Sequence, residues 1–269
     1  MLACWKLRTI AKHERETLRA MRMSTNGRSV SIVIATYNAG ALIENCLLSV
    51  IHQTHPEIEV IVVDGGSTDG TINILEKYSK QVKWTSERDR GLNDAQFKGV
   101  TRAKNDWVFF LGADDILAGP KAIENLFNAC SDISAIDILT GHALYEDGRL
   151  RRSDKPGMLR VKNTIHGQGA LYRRSLFKQK SYDMALKVYY DYDFNLWALT
   201  TGKRFFHTNV LLTVMGCGGH SDRPKWRNYL EDMKTRGRYV KGPALLATNV
   251  FAVARFIYKV VWFRALRTL

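Results

Sequence analysis

The sequence predicts an α/β protein in which a mainly parallel sheet lies between helices. Strand-like apolar runs alternate four times with helical patterns between residues 30 and 117, and the connections are short. The run WVFFL at residues 107–111 is apolar without interruption, which is typical of a central strand buried on both faces. An apolar share of 45% is sufficient to form the core of one such domain.

The individual elements are predicted from hydrophobic periodicity and from the residues at their boundaries. Continuous runs of β-forming residues indicate strands, and apolar residues at helical spacing indicate the helices that cover them. Strands are predicted from residue 30 and at residues 58–64, 82–86, 107–111 and 135–140. Helices are predicted at residues 41–52, 71–78, 121–129 and 191–199, with one more ending near residue 103. The Asp147-Gly148 pair predicts a β-hairpin.

The composition divides the chain into three parts. They are a basic N-terminal extension at residues 1–28, one domain at 29–242 with halves at 29–117 and 118–242, and a C-terminal helix at 243–269. The extension carries seven Lys or Arg against two Glu. It is interpreted as a surface helix, a loose arm, or a segment upstream of a start at Met21 or Met23.

The C-terminal segment is apolar almost all round, but four basic residues interrupt it: Arg255, Lys259, Arg264 and Arg267. We expect an interfacial helix that contacts anionic lipids, with packing onto the domain as the alternative. No window reaches the roughly 18 uncharged apolar residues that a membrane-spanning helix needs, and no signal-peptide pattern is found. We therefore expect a cytoplasmic protein associated peripherally with the inner face of the cell membrane.

The formal charge of +14 indicates an anionic partner, which could be nucleic acid, a membrane surface or a phosphate-bearing substrate. The four cysteines lack a CxxC spacing, which argues against a zinc site or a disulfide scaffold and fits a reducing cytosol. A nucleic-acid-binding module is an alternative from charge alone. Because no recognised reading motif accompanies the charge, we expect no nucleic-acid partner.

Polar side chains follow the predicted strands where each strand ends, and ligands of open α/β sheets bind at that edge. Asp114 and Asp115 follow the central strand. Their like charges repel, so a divalent cation would offset the repulsion, although the pair could instead cap the next helix. Asp64 ends the second strand, and Asp69 is predicted to cap the helix that follows. Neither a dinucleotide GxGxxG spacing nor a P-loop is present.

Three segments together resemble the family-two glycosyltransferases with the GT-A fold. The stretch from SIVIATYN to GGSTDGT, residues 31–71, is similar to the family's opening, and SERDRGLNDAQFKG resembles its SEPDxGxxDAxNKG segment. FLGADD corresponds to the metal-binding DxD-type motif. The similarity covers about residues 29–200. Gly112 stands where a DADD-type motif has its first Asp, and Ala35 and Arg88 replace prolines that are common in the family.

This resemblance implies roles for residues of the donor site. The residues implied for nucleotide binding are Thr36, Tyr37, Asn38, Asp64, Asp89, Arg90 and Asp114. Among these, Thr36, Tyr37 and Asp64 would contact the uracil and Asp114 the ribose. Asp115, with Asp114 beside it, would bind the Mg²⁺ or Mn²⁺ ion that bridges the donor pyrophosphate. His220, in the Gly-rich loop MGCGGHSDRP, is a further candidate for the metal or the phosphates.

On the acceptor side, the segment YYDYDFNLWAL resembles the family's EDWDLWLR pattern. This alignment implies that Asp191 is the catalytic base, with Asp193 as the alternative. A base is needed because an inverting transfer removes a proton from the attacking hydroxyl. IHGQGALYRRSLF resembles a segment that lines the acceptor and donor-sugar pocket, which makes His166 and Gln168 candidates.

The function expected from these patterns is an inverting, metal-dependent transfer of a sugar from a UDP-sugar to a glycan or a lipid-diphosphate-linked acceptor, in surface polysaccharide assembly. Such an acceptor and an anionic membrane surface would together account for the positive charge. A nucleotidyltransferase acting on sugar phosphates is the alternative enzyme. It shares nucleotide binding and paired carboxylates, but it needs no base at Asp191.

Overall fold

The computed structural model describes residues 27–153, 155–217 and 225–265, and the fold within them is one nine-stranded sheet with helices against it. The strands are β1 (Val30–Thr36), β2 (Ile58–Asp64), β3 (Lys83–Ser86), β4 (Trp107–Gly112), β5 (Ile116–Leu117), β6 (Ile138–Tyr145), β7 (Leu150–Arg151), β8 (Ala170–Arg173) and β9 (Phe205–Met215). Their order in the sheet is β3-β2-β1-β4-β8-β6-β9-β5, and β7 pairs with β6 at the side.

The first half of the sheet is parallel, as predicted. β1 pairs in parallel with β2 on one side and with β4 on the other, and β3 pairs in parallel with β2. The register aligns Thr36 with Asp64 and Asp64 with Ser86. The carboxyl ends of these strands therefore meet along one edge of the sheet, which brings the polar residues that follow them together.

The second half of the sheet is mixed. β8 continues the sheet antiparallel to β4 and β6, and β9 lies parallel to β6 and antiparallel to β5. The hairpin predicted at Asp147-Gly148 is present as β6 and β7. The strand predicted at 135–140 begins later, at Ile138, because a short 3-10 helix at Ile133–Ala135 precedes it and Asp132 accepts a hydrogen bond from the backbone N–H of Ser134.

Helices cover both faces of the sheet. They are α1 (Ile43–Ile51), α2 (Thr71–Lys77), α3 (Leu92–Arg102), α4 (Ala122–Asn128), α5 (Leu176–Gln179), α6 (Tyr190–Thr200), α7 (Trp226–Arg236) and α8 (Gly242–Ala265). Alternate residues of β4 enter two separate cores: Phe109 packs with α1 and α4, and Phe110 packs with α3 and α6. The expectation of a central strand buried on both faces is therefore confirmed.

The C-terminal helix α8 corrects one expectation. Its stretch Gly242–Val261 is long and apolar enough to cross a membrane, with a mean hydropathy of 1.5. The sequence-based expectation required about 18 apolar residues without a charge. Arg255 and Lys259 interrupt the stretch Gly242–Val261, but its mean hydropathy is still that of a candidate membrane span. Little of this stretch is buried, and one side of α8 packs against α7. The extension at residues 1–26 lies outside the described residues.

Candidate active site

A cleft of about 1070 Å³ opens at the carboxyl ends of β1 and β4, where the sequence predicts a site. Its walls come from both halves of the domain and from the C-terminal helices α7 and α8. Predicted site residues in its lining are Thr36, Tyr37, Asn38, Asp89, Asp114, Asp115, His166, Gln168 and Asp191. The structure thus brings nine of the residues expected for donor, metal and acceptor into one cavity.

The loops after β1, β2 and β3 meet at one end of the cleft. Tyr37 exposes 64% of its surface there, and Asn38 ties its loop to the next by accepting a hydrogen bond from Thr68 N–H at 2.9 Å. A methyl group on Gly65 would lie 2.7 Å from Asp89 Oδ2 and 3.3 Å from Tyr37 Cδ2. The glycine therefore permits the close approach of an aromatic ring and a carboxylate, a combination suited to stacking on a base and accepting its N–H groups.

Two predicted nucleotide ligands do not lie in the cleft lining. Asp64 is fully buried, and its Oδ2 accepts hydrogen bonds from Gly66 N–H, Ser67 N–H and the Ser86 hydroxyl at 2.6–2.9 Å. Its carboxylate orders the loop after β2 instead of facing a ligand, because the adjacent backbone donors occupy it. Arg90 points to solvent, with its side chain 76% exposed, and pairs with Asp94 at 3.2 Å.

Asp114 and Asp115 occupy the turn at the end of β4, and two glycines make room for them. A methyl group on Gly112 would lie 2.6 Å from Asp114 Oδ1 and 2.9 Å from Asp115 Oδ2, and one on Gly216 would lie 2.9 Å from Asp114 Oδ2. Asp115 Oδ2 accepts a hydrogen bond from Gly112 N–H at 2.8 Å. Gly112 therefore keeps the carboxylates close to the backbone, a packing that an Asp at this position would disturb.

Burial, together with the negative charge of Asp114, raises the pKa of Asp115 to about 6. A divalent cation would offset this repulsion, and carboxylate oxygens are the ligands that Mg²⁺ and Mn²⁺ prefer. Within the described residues, no three His, Cys, Asp or Glu side chains form a complete metal cage. The pair therefore fits an ion that is held by one or two carboxylates and completed by substrate phosphates, as is usual for Mg²⁺.

Asp191 lies at the start of α6 and also lines the cleft. Burial raises its pKa to about 6, although the positive charge of Arg151 and hydrogen bonds from Tyr192 N–H and Asn163 act in the opposite direction. Tyr192 N–H donates to Asp191 Oδ1 at 2.7 Å, and Asn163 Nδ2 does so at 3.4 Å. A carboxylate with such a pKa is suited to accept a proton near neutral pH.

Asp193 lies two residues further along α6 and points away from the cleft. Its side chain is 0% exposed and pairs with Lys180 at 2.9 Å and with Arg238 at 2.9 Å. Tyr239 donates a further hydrogen bond to Asp193 Oδ1 at 3.0 Å. Because Asp193 is enclosed by structural partners, Asp191 is the carboxylate available to a substrate.

His166 and Gln168 form part of the cleft wall beside the carboxylates. His166 is only 4% exposed, and neither of its ring nitrogens has a hydrogen-bond partner. Burial lowers its pKa well below the usual value, and the nearby charge of Arg151 acts in the same direction. A neutral imidazole with an unpartnered donor and acceptor is suited to a sugar hydroxyl. The candidate His220 lies outside the described residues.

Several basic and aromatic side chains in the cleft were not predicted: Arg149, Arg151, Lys187, Tyr189, Tyr229, Arg255 and Lys259. The first two come from the hairpin, and the last three from α7 and α8. The basic run RLRR and the spacing of Arg255 and Lys259, four residues apart on one helix, were visible in the sequence. Their convergence was not, because it depends on packing between segments distant in the chain.

The comparisons with known proteins give the following matches. The family model described as glycosyl transferase family 2 matches residues 31–183. A Mycobacterium tuberculosis protein named "PGL/p-HBAD biosynthesis glycosyltransferase" is 32% identical over 174 residues, which cover 62% of this chain and 68% of the relative. The same figures hold for its Mycobacterium bovis counterpart.

The solved structures add fold similarity. Residues 1–349 of Staphylococcus aureus TarS, in complex with UDP-GlcNAc, have a TM-score of 0.63 at 20% identity, and the match covers 85% of this chain and 71% of that TarS fragment. Glucosyl-3-phosphoglycerate synthase from M. tuberculosis, solved with Mn²⁺, UDP and phosphoglyceric acid, has a TM-score of 0.58 at 17% identity, with 83% of each chain covered. These similarities confirm the predicted α/β fold class.

Proposed function

The chain belongs to glycosyltransferase family 2 and has the GT-A fold, and on this premise we propose an inverting, metal-dependent transfer of a sugar from a UDP-sugar to a glycan or lipid-linked acceptor. The observation that carries the proposal is that the Asp114–Asp115 pair and Asp191 line one cleft. Burial raises the pKa of Asp191 to about 6. Paired carboxylates and a base are the groups that this reaction requires.

The nucleotide end of the cleft is the one beside Tyr37. In this proposal the exposed Tyr37 ring stacks on the uracil, and Asp89, which approaches Tyr37 across Gly65, accepts a hydrogen bond from the nucleoside. Thr36 lies at the floor, where its buried hydroxyl has no hydrogen-bond partner. Asp114 faces the ribose from the end of β4.

Asp114 and Asp115 would hold Mg²⁺ or Mn²⁺. When bound, the ion neutralises the charge that develops on the departing diphosphate. The protein's own part is to hold two carboxylates close together, which the backbone donors of Gly112 and Gly216 assist by hydrogen bonding to Asp115. Support for a divalent ion comes from neighbours of the same fold that were crystallised with Mn²⁺ or Mg²⁺.

Asp191 is the proposed base. Its carboxylate takes the proton of the attacking acceptor hydroxyl while the bond between the sugar and the phosphate breaks. Hydrogen bonds from Tyr192 and Asn163 to Oδ1 fix the orientation of this carboxylate. His166, neutral and unpartnered, positions a hydroxyl of the sugar or the acceptor from the neighbouring wall.

The proposed setting is the inner face of a cell membrane, where the enzyme takes part in assembling a surface polysaccharide. The net charge of +14 supports attraction to anionic lipids, and α8, which overlaps the predicted segment 243–269, exposes an apolar face suited to an interfacial position. The mycobacterial relatives are named for the biosynthesis of PGL/p-HBAD.

The decisive experiment is a donor screen. The full chain is incubated with UDP- and GDP-sugars, with Mn²⁺ or with EDTA, and release of the nucleoside diphosphate is measured. We expect hydrolysis of at least one UDP-sugar, its loss in EDTA, and its recovery when excess Mn²⁺ is added. Turnover of no sugar nucleotide, or equal turnover in EDTA, would contradict the proposal. Activity only with a nucleoside triphosphate and a sugar phosphate would identify a nucleotidyltransferase instead.

A further inference from the structure

The helix α8 has two chemically distinct sides. Its stretch Gly242–Val261 contains two charged residues, Arg255 and Lys259, and both line the cleft. The large hydrophobic side chains that α8 exposes are Leu246, Val250, Phe251, Ile257, Tyr258 and Val261. Residues 246, 250, 257 and 261 lie on one face at helical spacing, and the two basic residues lie on another. The helix therefore separates an apolar outer surface from a cationic cleft wall.

The cationic wall is held in place by α7. Asp232 is fully buried and pairs with Arg236 at 2.6 Å and with Arg255 at 3.2 Å. Two guanidinium groups thus share one carboxylate, which leaves this cluster with a net positive charge. The guanidinium of Arg255 also lies over the ring of Tyr229, 5.2 Å from its centroid. These contacts fix Arg255 at the cleft instead of letting it extend into solvent.

The same contacts decide how α8 can meet a bilayer. Phe256 packs on Trp226 and Tyr229 of α7, with ring centroids 5.0 and 5.1 Å apart, and Ala252 is buried. A helix with one side committed to its own domain cannot be surrounded by lipid. It can lie parallel to the membrane plane with its apolar face in the headgroup region. The whole helix, about 36 Å long, would then contact the bilayer surface.

From this arrangement we infer that Arg255 and Lys259 bind the phosphate groups of a lipid acceptor while the bilayer rests against the apolar face of α8. Lys187 lies in the same cleft, in the turn before the helix that carries Asp191, and adds a third cation. The acceptor is thus a membrane-resident lipid with a phosphate or diphosphate headgroup, delivered to the cleft along α8. This inference rests on the proposed function, because it names the acceptor class of the same site.

The test is a binding experiment that needs no donor. Sedimentation of the full chain is measured with phosphatidylcholine vesicles that contain a polyprenyl diphosphate, and with the same vesicles that contain the uncharged prenol. We expect tighter binding to the diphosphate vesicles. Lys259→Gln should weaken binding to the diphosphate vesicles about fivefold, the loss expected for one cation near an anionic surface. Binding to the prenol vesicles should stay unchanged.

Lys241→Gln is the matched control, because it removes one positive charge just as Lys259→Gln does. Lys241 is exposed, lies just before α8 and is not part of the cleft lining. Equal effects of the two variants would overturn the inference in favour of general attraction to the membrane. Equal binding of the wild type to both vesicles would overturn it as well. If free pyrophosphate displaces the protein from vesicles of both kinds, Arg255 and Lys259 bind a soluble phosphate compound and the inference fails. If the lipid preference holds while the donor screen fails, the proposed function fails and the anionic-lipid site stands.

Discussion

Two carboxylates in one turn of α6 illustrate how the surroundings of a residue decide its role. Asp191 lies in the cleft wall, where burial raises its pKa to about 6, whereas Asp193 is enclosed by Lys180, Arg238 and Tyr239. Both are acidic residues in the same sequence pattern, so the sequence could not distinguish them. The distinction depends on Arg238 and Tyr239, which are more than 40 residues away in the chain.

Asp191→Asn should therefore abolish the base and leave the fold intact. We expect the kcat of sugar transfer to fall by about 10²- to 10⁴-fold, the usual contribution of a general base. The affinity for UDP, measured by calorimetry, should change little because Asp191 is not among the residues proposed to contact the nucleotide. Asp193→Asn is the control. It should lower the free energy of unfolding by about 1–3 kcal/mol, because Lys180 and Arg238 lose a charged acceptor. A variant Asp191→Asn with full activity would exclude this residue as the base.

The raised pKa of Asp191 also predicts a pH profile. The base must be ionised to accept a proton, so kcat/KM should rise with pH and level off above about 6. The groups that interact with it include Arg151, whose positive charge lowers its pKa. Asn163 and the Tyr192 N–H donate hydrogen bonds to it, and the phenols of Tyr172, Tyr182, Tyr189 and Tyr190 lie nearby. Arg151→Gln should therefore move the acid limb to higher pH. The profile is measured at saturating metal ion, and an unchanged limb would contradict the assignment.

At the scale of elements, the sequence was most informative where structure is local. The strands β1 to β4 and the helices between them were predicted within a few residues, because each carries its own apolar period and ends in turn residues. The second half was predicted less well, since β8 and β9 pair with strands distant in the chain. Asp64 lies outside the cleft lining, and backbone donors of its own loop occupy its carboxylate, which the sequence pattern did not reveal.

The placement of α6 depends on a contact that no local pattern indicates. Glu231 Oε1 on α7 accepts hydrogen bonds from the backbone N–H groups of Lys187, Val188 and Tyr189, at 3.1, 2.7 and 2.8 Å. These residues form the turn that leads directly into the helix carrying Asp191. We therefore expect Glu231, which is not part of the cleft lining, to position the proposed base through this turn.

Glu231→Ala should leave three backbone donors without their acceptor and allow this turn to shift. We expect stability to fall by about 1–3 kcal/mol and kcat to fall much more than the affinity for UDP. Glu231→Gln, which retains a carbonyl acceptor, should recover part of the loss in kcat. Glu76→Ala, on the exposed side of α2, serves as the control. If Glu231→Ala lowers stability but leaves kcat and its pH profile unchanged, the role of Glu231 is structural only.

At the scale of the whole molecule, the proposed membrane association combines the net charge with the apolar face of α8. The net charge of +14 attracts the chain to anionic surfaces from a distance, but this attraction is screened by salt. The apolar face of α8 contributes only on contact, and salt does not weaken it. Membrane binding should therefore have two separable components, one electrostatic and one hydrophobic.

The hydrophobic component is tested with Val250→Ser and Ile257→Ser combined. Both side chains are more than half exposed, so their replacement should leave the thermal unfolding temperature unchanged. Loss of their insertion into the bilayer should weaken binding to anionic vesicles by about tenfold for each side chain, from the apolar area no longer buried. The residual binding should disappear at high salt, whereas that of the wild type should persist in part. Met158→Ser removes an exposed apolar side chain that lies outside α8 and should bind as the wild type does. If the wild type and the Val250→Ser, Ile257→Ser double variant lose binding equally at high salt, the attraction is electrostatic alone. The apolar face of α8 then does not enter the membrane.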